Sequence, residues 1–189
     1  MLPRGISRAD GEAILRSCDR RTAAGQRDYA ILMVLLRLGL RVGEVAVLKL
    51  NDIEWDSAEI TVHGKGQCQD RLPLPADVGK AVVAYLRGGR PRTTLREVFL
   101  TAKPPFAGLG STAVSQVVYR ACERAGVTPI GAHRLRHTVA CEMVGVGVPL
   151  QEIAQVLRHR SISSTAVYAR ADIDRLRAIA RPWPKELER

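Results

Sequence analysis

Long apolar runs are missing from this chain. The longest, YAILMVLL at Tyr29–Leu36, is far too short to cross a bilayer. The N-terminus does not resemble a secretory signal peptide. The four cysteines, Cys18, Cys68, Cys122 and Cys141, form no CxxC pair, which excludes a zinc knuckle and a disulfide framework and leaves a reducing cytosol as the expectation. No GxxxxGK[ST] loop is present to cradle a nucleoside triphosphate, and the single GKG is much too short to serve as one. Internal repeats and low-complexity segments are absent as well. Acidic residues are in short supply: 19 Asp and Glu against 29 Lys and Arg give a formal charge of +10. That excess favours a polyanionic partner, because each neutralised phosphate releases counterions. A merely basic soluble protein would carry the same excess, so charge alone does not decide. A cytoplasmic protein facing nucleic acid, with no membrane segment, is the class these exclusions leave.

What is present fits one compact domain. A chain of 189 residues with 46% hydrophobic content is long enough to bury a real core. Ser7 reads as the N-cap of a first helix, RADGEAILRSC. A second helix is expected from about Gln26 through the apolar run to Leu38, with Gly39 as its stop. Being apolar on nearly all sides, it should be the central core helix. VGEVAVLKL reads as a third helix. Between 51 and 75 the segments IEWD, EITVHG and DRLPLP are short, β-branched and separated by turn signals, which predicts a small antiparallel sheet. A helix is expected over about Asp77–Leu86, and RGGRPRTTLRE reads as a loop. The second half returns to helix. STAVSQVVYRACERAG has Ser111 as cap and Gly126 as stop; the helix of HRLRHTVACEMV ends near Gly145–Gly147. PLQEIAQVL, STAVYAR and DIDRLRAIA follow. The fold class is mainly α with one small antiparallel β-sheet.

The pentapeptide HRLRH at 133–137 concentrates two histidines and two arginines in five positions. On a helix, His133, Arg136 and His137 share a face. A metal is a poor guest: the glutamate of HExxH is replaced by Arg134, and nearby arginines repel a cation. An anion suits better, since arginine offers a planar, permanently charged fork that matches phosphate oxygens. A helix face salt-bridged to neighbouring acids would look the same, so the pentapeptide does not decide alone. Elsewhere, LGLRVGEVAVL sets Arg41 just after a glycine stop, at the start of a helix where free N–H groups favour anions. HGKG places Lys65 at a hairpin tip, and VLRHRSISSTAVYAR carries His159 and Tyr168.

Taken in order, these motifs resemble the catalytic domain of the tyrosine recombinases, the phage-integrase and Xer-type family. The likeness runs from about Ser7 to Ile179 and rests on an arginine in an LGLRxxE context, a hairpin lysine, HxLRH, and LGHxSIxxTxxY. It implies Tyr168 as nucleophile, Arg41 and Arg136 as phosphate-binding residues, Lys65 as general acid and His133 as acid/base, with His159 completing the set. One departure is visible: the family's glycine before the second histidine is Arg158 here, followed after His159 by Arg160. Glu44 is expected to orient local arginines, and His137 to be structural. Tyr29, Tyr85 and Tyr119 read as packing residues.

The chemistry gives each type a reason. Cleaving and rejoining a DNA strand without external energy needs a covalent relay, here a 3′-phosphotyrosine. The transition state gains negative charge, which fixed arginines stabilise where nucleases use metal ions. No cofactor and no metal are implied. Further DNA contacts are expected from Gln116, Arg120 and Arg124 on one helix, from Arg87, Arg90 and Arg92 in the Gly/Pro loop, and from Arg134, Arg158 and Arg160 around the site. The expected partners are double-stranded DNA and other protomers of the same chain in a DNA-bound assembly, with a monomer or weak oligomer otherwise. The resemblance further implies a core at about 7–170, a tail at 171–189 that exchanges between protomers, and no N-terminal core-binding domain in this chain. Two alternatives stay open: a non-catalytic DNA-binding regulator on the same scaffold, and a type IB topoisomerase-like enzyme.

Overall fold

A computed structural model describes residues 5–64 and 68–158. The elements are α1 (Arg8–Arg16), α2 (Ala23–Leu38), α3 (Val42–Ala46), β1 (Ile53–Glu54), β2 (Glu59–His63), β3 (Gln69–Pro73), α4 (Ala76–Ala84), α5 (Ser111–Ala125), α6 (His133–Gly145) and α7 (Leu150–Val156). The architecture is mainly α with one three-stranded antiparallel sheet, as the composition and patterning predict. The helices expected at STAVYAR and DIDRLRAIA, and the tail at 171–189, lie outside the described residues.

The core forms around α2. Ala30, Ile31, Leu32, Met33, Val34 and Leu35 are consecutive and all buried, so this helix is enclosed on every side. Burying each of the larger side chains is worth roughly 1.5–3 kcal/mol relative to exposure. α1, α3, α4, α5 and α6 all pack against it. The ends of α2 are set locally. Thr22 Oγ1 accepts the Gly25 N–H at 3.0 Å, which starts the helix three residues ahead of Gln26. Gly39 closes it in the left-handed conformation, at φ 60°. Ser7 caps α1 as expected, accepting the Asp10 N–H at 3.0 Å.

Three expectations shift. VGEVAVLKL does not stay helical past Ala46, because Leu48 and Leu50 pair with a passing segment: Val98 N–H donates to the Leu48 carbonyl and Leu50 N–H to the Arg96 carbonyl, each at 2.8 Å. The backbone bonds of that bridge replace those of the helix. Gly88 and Gly89 belong to a π-helical turn, Tyr85–Gly89, that continues α4; the Arg90 N–H reaches back to the Tyr85 carbonyl at 2.7 Å. Ser111 is the first residue of α5 and not its cap: the chain turns at Gly110, just after Leu109 N–H bonds the Phe99 carbonyl at 2.9 Å.

The sheet has strand order β1-β2-β3, with Ile60 opposite both Ile53 and Leu72. Ile60 and Val62 face the core while Glu59, Thr61 and His63 alternate away from it. Asp52 anchors the hairpin base: one carboxylate oxygen accepts the Lys49 N–H at 2.7 Å, the other meets His63 Nε2 at 2.8 Å. His63 pairs with Gln69, and the Gly64 N–H bonds the Cys68 carbonyl at 2.8 Å. Lys65 lies between these and is outside the described residues.

A second, smaller cluster of Val139, Ala140, Val144, Ile153 and Leu157 joins α6 to α7. Gly39 is its seam with α2: a Cβ there would lie 2.9 Å from a Leu157 methyl group. Gly39→Ala is therefore expected to destabilise the fold by about 1–2 kcal/mol from the left-handed backbone alone, with the methyl clash adding to it. Urea unfolding of the two proteins, read by circular dichroism, measures the difference.

Candidate active site

The turn between α2 and α3 is where the predicted arginines meet. Arg136 projects from α6 and is 8% exposed. A buried cation needs strong acceptors, and its Nη1 donates to the Gly39 carbonyl at 2.6 Å. Two residues on, Arg41 forms the N-cap of α3, with its side chain 44% exposed. Helix ends leave carbonyl and N–H groups without intrahelical partners. Here the closing carbonyl of α2 holds one guanidinium while the opening turn of α3 carries the other.

Glu44 organises the second guanidinium. Its carboxylate accepts the Arg41 N–H at 2.8 Å and Arg41 Nη1 at 2.7 Å, so the third residue of α3 closes on its cap from both backbone and side chain. Arg158 Nη2 donates to the same carboxylate at 2.8 Å. Burial pushes the Glu44 carboxyl up, yet the Arg41 N–H, the Arg158 charge and the Arg41 side chain together hold it below its ordinary value. Arg41 Nη2 donates in turn to the Arg158 carbonyl at 3.1 Å. The role expected of Glu44, orienting arginines, is the one its contacts describe.

His133 opens α6 and is exposed, one turn before Arg136. Gly131 sits against its ring: a Cβ at that position would lie 2.7 Å from Cε1 and Nδ1, so a larger residue there would make the exposed ring turn aside. The His137 ring stands edge-on to that of His133, with centroids 5.8 Å apart. Burial, followed by the positive charges of His133, Arg136 and Arg134, pushes the His137 imidazole below its ordinary value. The neutral form of the half-buried His137 ring is thereby favoured.

His133 also lines a groove of about 460 Å³ with Val42, Ser115, Gln116 and Tyr119. Gln116 and Arg120 are exposed on this side of α5. Tyr119 is 43% exposed and not a packing residue, unlike the fully buried Tyr85.

Other arginines have different occupations. Arg124 donates to the Ser17 carbonyl at 3.2 Å, at the end of α1. Arg90 bonds the carbonyls of Leu95, Glu97 and Val98 and straps its own loop together. Arg158 has a side chain only 7% exposed and points inward to Glu44. Arg87 and Arg92 are exposed, but the adjoining Gly88 and Gly89 pack on Ala23 and Gln26 at the start of α2. That is the length of a 16-residue helix from Arg41, about 24 Å at 1.5 Å per residue. Arg134 is half-buried at the head of α6. His159, Arg160 and Tyr168, like Lys65, lie outside the described residues.

The Arg158 contacts were not legible beforehand, though its place was. It follows Leu157, the C-cap of α7, in a left-handed conformation, φ 53°, where glycine is the usual choice. A non-glycine residue there costs about 1–2 kcal/mol, which the buried ion pair offsets. Its Nε also comes within 4.0 Å of an Asp70 oxygen on β3. Asp70 thereby brings the loop end of the β2–β3 hairpin to the same place.

This mostly helical frame is shared with proteins already known. Residues 6–175 match the model of the phage integrase family. The chain belongs to that family, and its fold is that of a tyrosine-recombinase catalytic domain. It is 46% identical over 99% of its length to y4rA of Sinorhizobium fredii, a protein provisionally named an integrase/recombinase. It is 34% identical over 90% of its length to the tyrosine recombinase XerC of Bifidobacterium longum. It spans 46% of the first and 51% of the second, about half the length of each. Against y4gC of Sinorhizobium fredii, also provisionally named an integrase/recombinase, it is 40% identical and spans 97% of both chains. Among solved structures, XerA recombinase superposes over 97% of this chain and 67% of its own with a TM-score of 0.80 at 24% identity.

Glu44→Gln removes the charge that balances Arg158 and should cost about 3 kcal/mol at neutral pH. A carboxyl held below its ordinary value of 4.5 stabilises the fold above that pH and loses its contribution as pH falls through the folded value. The gap between wild type and Glu44→Gln should therefore close on acidification below about pH 4.5. Denaturant titrations at pH 7 and in acid check both parts.

Proposed function

We propose that this chain is the catalytic domain of a site-specific DNA recombinase that breaks and rejoins strands through a 3′-phosphotyrosyl intermediate. The observation that carries the reading is the convergence of Arg41, Arg136 and His133 on the α2–α3 turn and the head of α6. Family membership and the motif order supply the remaining members. In this reading the Tyr168 hydroxyl attacks the scissile phosphorus, forming the P–O bond to tyrosine as the bond to the 5′ oxygen breaks. His133 takes the phenolic proton, which at an ordinary pKa near 10 would otherwise stay in place. Lys65 delivers a proton to the departing 5′ alkoxide. Arg41 and Arg136 hold the non-bridging oxygens as charge builds on them, and His159 adds a hydrogen bond. Rejoining runs the same steps backwards with a 5′ hydroxyl from either strand, so the reaction conserves bond energy without ATP. Charge stabilisation falls to the arginines, and no metal ion enters the scheme.

Gln116, Arg120 and Arg134 are the described residues best placed to meet a duplex lying over the groove beside His133. Arg160 joins them by its place next to His159. Arg90 and Arg158 are set aside, because each guanidinium is already bonded within the protein, whereas Arg124, exposed beside the Ser17 carbonyl, stays a candidate contact. The further partners are other protomers on the same DNA, and the chain alone is read as a monomer or weak oligomer of the cytoplasm.

Wild-type protein incubated with a nicked duplex that traps the intermediate should give a covalent adduct resistant to denaturant. Tyr168→Phe should bind the same DNA within about twofold and give none. Arg136→Ala should lower the adduct rate by on the order of 10²–10³. An adduct formed normally by the phenylalanine variant would remove Tyr168 from the chemistry; no adduct from wild type on its own selected site would leave a DNA-binding protein in place of an enzyme.

A further inference from the structure

Arg158 occupies a position, at φ 53°, where backbone geometry asks for glycine. Its contacts give the substitution a purpose. The carbonyl of Arg158 accepts from Arg41 Nη2 at 3.1 Å, so the same residue touches the phosphate-binding arginine through its backbone. Its side chain, 7% exposed, reaches the Glu44 carboxylate at 2.8 Å, and that carboxylate grips Arg41 twice. A third branch approaches Asp70 on β3 at 4.0 Å, in the second residue of the strand that leaves the loop carrying Lys65. The residue after Arg158 is His159. One side chain therefore joins the α3 cap, the lysine hairpin and the segment entering the second histidine.

We infer that Arg158 is a positioning residue for the strand-transfer reaction: it fixes the Arg41 guanidinium through Glu44 and its own carbonyl, and ties the loop end of the β2–β3 hairpin to that arrangement. The inference rests on the recombinase reading above. It has a mechanical rationale. Arg41 is nearly half exposed and would otherwise be free to swing among its rotamers. A guanidinium held in place before DNA arrives is already where charge will develop, with no reorganisation left for the reaction itself. Lysine cannot replace the planar fork contact for contact, so the arrangement asks for arginine specifically. The interaction is electrostatic and buried, so salt should weaken it far less than an exposed ion pair.

The test separates positioning from mere stability. Arg158→Gly suits the left-handed backbone, so its thermal midpoint should stay within a few degrees of wild type. Under saturating nicked duplex, its single-turnover adduct rate should fall about tenfold or more, with DNA affinity changed by less than about twofold. Arg158→Lys, which keeps a charge near Glu44, should recover part of that rate. Combined with Glu44→Gln, the glycine variant should lose little beyond the larger of the two single effects, because both act on Arg41 through one contact. A wild-type rate in Arg158→Gly overturns the inference, as does a rate loss that tracks the melting temperature or one that simply multiplies with that of Glu44→Gln. Wild-type protein that forms no adduct at all would instead count against the recombinase reading on which it stands.

Discussion

One carboxylate holds the candidate site together. Glu44 is buried among positive groups, accepting from the Arg41 backbone, the Arg41 side chain and the Arg158 side chain. Three arginines crowd this corner of the molecule, and their mutual repulsion in a poorly solvated region would scatter them without a counter-charge. The α2–α3 turn then adds a backbone acceptor for the fourth contact, from Arg136. The site is thus a negotiated balance. Enough negative charge is present to keep the guanidinium groups in place, and the surplus of positive charge stays available for an anion from outside.

The helix that builds this corner is also the one that builds the core. α2 is enclosed on every side, so its C-terminal end at Gly39 cannot shift without disturbing most of the hydrophobic interior. Rigid support of this kind is what a phosphate-binding pair needs, because small displacements of a charge-stabilising group cost large factors in rate. α6 contributes in the same way. Leu135 is fully buried in the main core and Val139 in the smaller cluster, while His133 and Arg136, between and beside them, turn toward the site.

Much of this was legible in the residues. The central helix announced itself by an apolar run with no polar face, the sheet by alternation in EITVH, and the helix ends by Ser7, Gly39 and Gly126. The arginine pair and His133 were singled out by the resemblance that LGLRxxE and HRLRH carry, and the structure brings Arg136 and Arg41 to the α2–α3 turn. Other features were hidden because they depend on partners distant in sequence. Nothing local marks Arg90, just past a helical turn, as the one that straps its loop to three carbonyls, or Arg120, within α5, as the one that faces outward. α3 stops early because Val98 and Arg96 draw its end away, and that pairing spans about fifty residues of chain. Tyr119 lies at a helical position next to core residues, and only the packing of α5 shows that it faces the groove. Arg158 was visible as an exception to the family pattern, but its inward direction was not.

A last consequence lies in what Arg136 is bound to. One of its partners is a peptide carbonyl, which every amino acid possesses and which no single codon change deletes. Drift in the gene can therefore rewrite much of the α2–α3 neighbourhood without erasing this acceptor; it is lost only when the course of the chain itself is bent. Evolution is left a wide choice of surroundings for this contact and very little choice about the path of the backbone beneath it.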